Sequence, residues 1–236
     1  MNFNLLIGGA AGQGMETLSS TLSKILQKRG YQLFTLQDYM SRVRGGHNFF
    51  QIRFSENPVQ THRDDLDGII ALNQETVDLH IGRLNKDGFI IADDDIVSDD
   101  PRVITIPAKK LSREIGNPKV QSSVILGTLM KLYGLDVEHL DTILSAKFNE
   151  KVVMQNVEAF NIGHDLVESR FVPPVVTPSP SMLIQANEAI ALGALAAGLK
   201  FYSAYPMTPS TSIMSYLVQK SKKAKVVVEQ AEDEIA

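Results

Sequence analysis

Four of the chain's ten prolines fall within ten residues, Phe171 to Pro180, as Pro173, Pro174, Pro178 and Pro180. Proline fixes φ, removes a donor and keeps its predecessor extended. Such a stretch fits neither a helix interior nor a central strand, and it predicts a semi-rigid linker. The 236 residues then divide into a first domain, 1–170, a linker, 171–180, and a C-terminal piece, 181–236. The first domain is within the usual size range for one core.

Before the linker, strand and helix patterns alternate. Asn4 to Ile7, Tyr31 to Leu36, Asn48 to Phe54, Gly68 to Leu72, Phe89 to Ala92 and Val103 to Ile106 read as strands. Met15, Leu18, Leu22, Ile25 and Leu26 form one helical stripe, with Gly30 suited to its C-terminal cap. Further helices are expected over Glu75 to Leu84, Ala108 to Ile115, Val120 to Tyr133, Val137 to Phe148 and Glu150 to Glu168. This order predicts an α/β fold, a three-layer domain with helices on the faces of a sheet. After the linker the pattern repeats on a smaller scale. A helix over Gln185 to Ala197 is followed by a strand over Lys200 to Ala204, a helix over Ile213 to Lys220 and a strand over Lys225 to Val228.

Composition removes several function classes. Net charge is −4 and the isoelectric point about 5.7, so nucleic-acid binding is not expected. With no cysteine, this chain forms no disulfide and holds no thiolate-ligated iron–sulfur cluster. No apolar run approaches the ~20 residues needed to cross a bilayer, and Met1 to Ile7 lacks the form of a secretory leader. A cytoplasmic protein with no membrane contact is the expectation.

Four segments carry candidate chemistry. Gly8-Gly9-Ala10-Ala11-Gly12-Gln13-Gly14 joins the first strand to the first helix. Glycines there, Gly12 and Gly14 among them, permit close backbone approach, and a helix start favours anions. The loop reads either as a phosphate site or as a tight packing turn. Thr17 stands where a dinucleotide fingerprint requires glycine, and no Lys-Ser/Thr follows as in a P-loop. Ser41-Arg42-Val43-Arg44-Gly45-Gly46-His47-Asn48 sets two planar cationic forks beside a double glycine. By itself it also reads as a surface loop. Tyr205-Pro206-Met207-Thr208-Pro209 is a stiff loop ahead of a helix, and Glu229, Glu232, Asp233 and Glu234 follow the apolar run Val226-Val227-Val228. A carboxyl group desolvated at the end of such a strand can exchange a proton with a ring nitrogen; the same acids also suit a helix N-terminus. Asp93-Asp94-Asp95 with Asp99-Asp100 reads as a solvated loop more than a cation site, and His62, His80, His139 and His164 lack zinc spacing.

Taken in order, the glycine loop, Gly30-Tyr31 and Arg44-Gly45-Gly46-His47 resemble the gamma domain of 2-oxoacid:ferredoxin oxidoreductases. The loop at Tyr205, with Met207 where that family has isoleucine, resembles its thiamine-diphosphate pyrimidine domain. The resemblance implies a gamma domain fused to the truncated start of a pyrimidine-binding domain. It implies oxidative decarboxylation of a 2-oxoacid such as pyruvate, with coenzyme A accepting the acyl group and ferredoxin or flavodoxin the electrons. Cofactor contacts then fall to Tyr205, Pro206, Met207, Thr208 and Pro209, and coenzyme A contacts to Gly12, Gly14, Arg42, Arg44, Gly45, Gly46 and His47. Catalytic roles fall to Thr208 and to a glutamate on the aminopyrimidine ring, Glu234 or alternatively Glu232. The resemblance also implies a hetero-oligomer in which a beta subunit brings the diphosphate and Mg²⁺ half of the site and any cluster lies on a partner. The isolated chain is expected to be inactive, with no metal site of its own. The rival readings are a nucleotide-binding dehydrogenase and a non-catalytic assembly module.

Overall fold

In a computed structural model, residues 2–38, 46–178 and 180–236 are described. The chain divides into two compact units, Met1–Ser181 and Met182–Ala236.

The first unit is built on a six-stranded mixed sheet of order β2-β3-β1-β4-β5-β6. Its strands are β1 (Asn2–Gly9), β2 (Gln32–Asp38), β3 (Asn48–Ser55), β4 (Leu66–Ala71), β5 (Leu84–Asp93) and β6 (Val103–Ile106). Strands β1, β4, β5 and β6 run parallel, while β3 is antiparallel to both β1 and β2. Side chains on a strand alternate between faces, and β1 obeys this. Leu5 and Ile7 enter a large core, Leu6 a smaller one on the other side.

The larger core lies under α1 (Met15–Lys28), α3 (Ala108–Glu114), α4 (Gln121–Leu132), α5 (Leu140–Ser145) and α6 (Glu150–His164). Met15, Leu18, Leu22, Ile25 and Leu26, the expected stripe, are the buried apolar side chains of α1. The chain leaves α1 through Gly30, whose N–H donates to the Gln27 carbonyl while that of Tyr31 donates to Leu26. The other face is covered more thinly, by α2 (Gln74–His80) over Leu6, Ile69 and Ile90. Helices α4 and α6 cross at Gly127 and Gly163. A Cβ on Gly127 would lie 1.9 Å from the Phe160 carbonyl oxygen, and one on Gly163 1.9 Å from that of Val124.

Three expected helices fall short of an expected end by three residues or more. The one over 137–148 is reduced to Leu140–Ser145, because His139 takes a left-handed φ of 56° and cannot continue a helix from Val137. The helix from Glu75 stops at His80 and gives way to a 3₁₀ turn, Ile81–Arg83, before β5. The last helix of the unit ends at His164 rather than Glu168. The proline segment is anchored at several points, although Val172 and Val175 are exposed. Tyr31 Oη donates to the Pro174 carbonyl at 3.1 Å, Arg170 and Phe171 N–H groups both donate to the Leu132 carbonyl, and Phe171 packs on Phe3, Phe89 and Tyr133.

In the second unit α7 (Ala186–Ala196) and α8 (Thr211–Ala224) accompany two parallel strands, β7 (Phe201–Ala204) and β8 (Val227–Gln230). Helix α8 runs to Ala224, and Lys225, with φ 54°, turns the chain out of it. The strand predicted from Lys225 therefore starts later. Parallel sheets are ordinarily buried on both faces. Here Ile190, Phe201, Val218 and Val227 are exposed, and the buried apolar set is Ala191, Met214, Leu217 and Val226. No helix among the described residues is long and apolar enough to cross a membrane.

Candidate functional site

From β1 the chain turns to one side of the sheet through α1, and from β4 to the other through α2. A crevice at the carboxyl ends of parallel strands forms where winding reverses in this way. The glycine loop enters it after β1. Gly12 and Gly14 have φ of 91° and 86°, backbone that only glycine adopts without strain. Gln13 closes the loop on itself and on the strand beside it. Its Oε1 accepts from the Ala10 N–H at 2.7 Å, and its Nε2 donates to the Leu72 carbonyl at 3.1 Å. Gly14 caps α1 without a side-chain hydrogen bond, so the first-turn N–H groups remain open to an acceptor. A cavity of about 510 Å³ adjoins them, lined among others by Gly12, Gly14, Thr17, Lys119, Ser122 and Asn156. Lys119 and the start of α4 line this space along with the start of α1, a set of groups suited to an anion.

His47 stands at the carboxyl end of β1, on the α2 face of the sheet. It is 7% exposed, and its Nε2 lies 2.7 Å from Nε2 of His80, also 7% exposed. His80 Nδ1 lies 3.1 Å from an Arg83 guanidinium nitrogen. Arg83 also donates to the Asp64 carbonyl at 2.9 Å and to Gln51 Oε1 at 3.1 Å. Gln51 Nε2 donates to Asn4 Oδ1 at 3.0 Å, and Asn4 Nδ2 donates to the Arg63 and Asp65 carbonyls at 2.8 and 2.6 Å. Phe49 stacks on the His47 ring and meets His80 edge-on. Burial holds the His47 imidazole below its ordinary range. Burial, the neighbouring His47 and the Arg83 charge push His80 down to about 4. Both rings are therefore neutral at neutral pH.

In the second unit the loop at Tyr205 and the acids after Val226 leave the carboxyl ends of the same parallel pair, β7 and β8. The loop is fastened from within. Asn187 Nδ2 donates to the Pro209 carbonyl and to Ser212 Oγ, both at 2.7 Å, and the Ser210 N–H donates to the Met207 carbonyl at 2.8 Å. The Thr208–Pro209 peptide is cis. The Ala231 N–H donates to the Ala204 carbonyl at 3.1 Å, which brings the acidic segment beside the loop. Glu232, Asp233 and Glu234 are exposed. Asp233 Oδ1 accepts from the Ile235 and Ala236 N–H groups, and those bonds hold its carboxyl below the ordinary range. The apolar wall expected from Val226-Val227-Val228 is only half built: Val226 is buried but Val227 is 58% exposed.

Tyr205, Pro206, Met207, Thr208 and Pro209 thus share one sheet end with Glu232 and Glu234, while Gly12, Gly14, Gly46 and His47 gather at the sheet end of the first unit. Arg42, Arg44 and Gly45 lie outside the described residues. The aspartate run is no cation site among the described residues, which hold no cluster of three or more metal-ligating side chains. Asp93 is buried with Oδ2 accepting from the Lys109 N–H, Asp95 pairs with Lys109 and Asp100 with Arg102. Sequence reasoning missed His80, Arg83, Gln51 and Asn4. The available signal was weak: Asn4 and Gln51 are polar residues inside otherwise apolar strands.

A family model described as pyruvate ferredoxin/flavodoxin oxidoreductase matches residues 4–166, and one for the thiamine-diphosphate-binding part of that enzyme matches residues 192–236. The alpha subunit of a 2-oxoacid:ferredoxin oxidoreductase from Sulfolobus sp is 26% identical over 100% of this chain and 47% of its own length. The 2-oxoglutarate oxidoreductase subunit KorA of Mycobacterium tuberculosis is 25% identical over 99% of this chain and 43% of its own. The chain spans about half the length of the curated relatives it matches. Among solved structures, the 2-oxoglutarate:ferredoxin oxidoreductase from Magnetococcus marinus, with 2-oxoglutarate, coenzyme A and succinyl-CoA bound, superposes with a TM-score of 0.89 at 26% identity, covering 99% of this chain and 44% of that one. A keto/oxoacid ferredoxin oxidoreductase gamma subunit from Geobacter sulfurreducens shares the fold over 70% of this chain and 95% of its own, at 24% identity and a TM-score of 0.62. On these matches, the chain belongs to the pyruvate ferredoxin/flavodoxin oxidoreductase family.

Proposed function

We propose that this chain is a subunit, or part of one, of a 2-oxoacid:acceptor oxidoreductase that converts a 2-oxoacid and coenzyme A to acyl-coenzyme A and carbon dioxide, passing electrons to ferredoxin or flavodoxin. The observation that supports this is the order of two family matches on one chain, whose candidate loops leave the carboxyl ends of strands β1 and β7. The domain assignment follows: a gamma-type domain over 1–170, the proline segment 171–180, and the start of a pyrimidine-binding domain from 181.

The residues at the end of β7 and β8 fit one side of thiamine diphosphate. A backbone-fastened loop supplies shape, and a free carboxylate at Glu234 or Glu232 supplies a partner for a ring nitrogen. When bound, that cofactor supplies the electron sink for decarboxylation. Glu234, with Glu232 as alternate, holds or moves the proton at the ring nitrogen, and Thr208 and its neighbours orient the ring. The exposed apolar faces around β7 and β8 call for further polypeptide, which closes water out and completes the desolvation that general acid–base work needs. A beta subunit bringing the diphosphate and Mg²⁺ half of the site is part of this reading, as is a cytoplasmic hetero-oligomer. In the first unit the glycine loop, Lys119, Arg42, Arg44 and His47 receive coenzyme A.

The test is reconstitution with the partner subunit, assayed with several 2-oxoacids, coenzyme A and a dye acceptor. The chain alone turns nothing over, and the complex does. In that complex Glu234→Gln lowers the rate by roughly 10²–10⁴, the usual contribution of a general acid–base group. Normal turnover in both Glu234→Gln and Glu232→Gln overturns the role given to these acids, and turnover by the chain alone overturns the need for a partner.

A further inference from the structure

The hydrogen bonds on the α2 face of the first sheet have a direction, and it is set by groups that cannot reverse. Asn4 Nδ2 meets two backbone carbonyls, of Arg63 and Asp65. Carbonyls only accept, so the amide orientation of Asn4 is fixed and its Oδ1 is the acceptor offered to Gln51. Gln51 Nε2 must then donate to it, as well as to the Arg63 carbonyl, which leaves Gln51 Oε1 as an acceptor for Arg83. Arginine has no acceptor atom. Its N–H toward His80 therefore makes His80 Nδ1 the acceptor. A neutral imidazole carries one proton, so that of His80 sits on Nε2 and points along the 2.7 Å contact to His47 Nε2. His47 Nε2 accepts it, and the His47 proton is forced onto Nδ1. That Nδ1 is buried and has no partner among the described residues.

We infer that His80 and Arg83 are positioning residues that lock His47 as its Nδ1–H tautomer, and that this N–H donates to an acceptor oxygen of a ligand reaching the Gly8 end of the glycine loop, where a Cβ on Gly8 would lie 3.1 Å from His47 Cε1. A buried donor left unmet is costly, and the rest of the network is satisfied to its last carbonyl. A neutral donor of fixed direction suits a phosphate or carbonyl oxygen equally. It discriminates against a ligand group that itself donates there. Naming coenzyme A as that ligand rests on the proposed function; the tautomer does not.

The experiment is long-range ¹H–¹⁵N NMR on the chain labelled at its histidines, which reads the tautomer of each ring. The inference requires His47 protonated at Nδ1 and His80 at Nε2 in the unliganded protein. A His47 ring protonated at Nε2 overturns it, whatever any variant does. Arg83→Leu removes the fixed donor, and His47 then loses its single tautomer. Arg83→Lys, still donor-only, restores it; if Arg83→Leu keeps the Nδ1–H form unchanged, Arg83 is not the positioning group. Addition of coenzyme A moves the Nδ1 proton signal downfield. Pyrophosphate alone reproduces the shift if the acceptor is a phosphate oxygen, and pantetheine alone if it is an amide carbonyl. In Arg83→Leu the affinity for coenzyme A falls about fivefold, the worth of one neutral hydrogen bond. A correct tautomer with no response to coenzyme A refutes the ligand while leaving the relay standing.

Discussion

Gly127→Ala should destabilise the first unit although it replaces a poor helix former with the best. By helix propensity alone the change is worth about 1 kcal/mol in favour of the variant. The new Cβ, however, would sit 1.9 Å from the Phe160 carbonyl oxygen and 2.8 Å from the His164 nitrogen, all backbone atoms of the opposing helix. Contacts of that kind need at least ~3.2 Å, so α4 and α6 must separate by more than an ångström, because neither atom is the tip of a side chain that can swing away. Overpacking of this sort costs about 1–3 kcal/mol. The separation also weakens the bonds that cross the seam, Thr128 Oγ1 to the Gly163 carbonyl at 2.8 Å and Ser123 Oγ to Asn156 Oδ1 at 2.6 Å, each worth about 1 kcal/mol. The net expectation is a loss of about 3 kcal/mol, or ~6–12 °C in Tm for a unit of this size. Thermal unfolding followed by circular dichroism and by urea titration measures it. Gly82→Ala is the control, since nothing lies within 4 Å of its Cβ, and it should change Tm little. A Gly127→Ala protein as stable as the parent would show that the α4–α6 seam is not set by backbone contact. Ser122 and Asn156 line the cavity at the glycine loop, so the same wedge should weaken anion binding there.

Three further outcomes follow from groups already placed. The His80 pKa is about 4 in the folded chain against an ordinary 6.5, so the unfolded chain binds the extra proton between those values. The contribution is complete above pH ~6.5 and is lost as pH falls toward 4, by up to about 3 kcal/mol. With His47, Arg83 and, around His47, Glu75 and Asp38 as the charged or titratable neighbours, His80→Gln should flatten that slope while keeping the relay, because glutamine also accepts from Arg83 and donates to His47; an unchanged slope in urea titrations at pH 7 and 4.5 would refute it. Tyr133 is fully buried with its hydroxyl unpartnered among the described residues and its pKa pushed well up by burial, so Tyr133→Phe should be neutral or raise stability by about 1 kcal/mol, and a clear drop in Tm would reveal an unseen partner. The proline segment is anchored at Phe171 and Pro174 but exposes Val172 and Val175, so Tyr31→Phe, lacking the bond to the Pro174 carbonyl, should be cut by limited proteolysis between residues 172 and 178 faster than the parent; equal cutting rates would show that this bond does not hold the segment.

Much of this protein is legible in the order of its residues. Strand β6 has the ends its pattern predicts, and the stripe from Met15 to Leu26 is the buried side of α1. Both are local: alternation and helical period depend on near neighbours, which the order of residues states directly. The glycine loop, the Tyr205 loop and the acids after Val226 were found by motif for the same reason, since each is contiguous. Their meeting was not. That Glu232 and Glu234 share a sheet end with Tyr205 depends on β7 and β8 pairing in parallel, a register that no local pattern specifies. The stiffness of the proline segment is readable from its residues because it is a property of the chain, whereas its anchoring on Tyr31, Leu132 and the Phe3–Tyr133 cluster is a property of the surface it meets. The relay from Asn4 to His47 is the extreme case. Its members come from β1, β3, α2 and the turn before β5, and each looks ordinary in its own segment. Only the tertiary structure brings them within hydrogen-bond distance, and only there does the one-way chemistry of a carbonyl and a guanidinium decide which nitrogen of a histidine carries the proton.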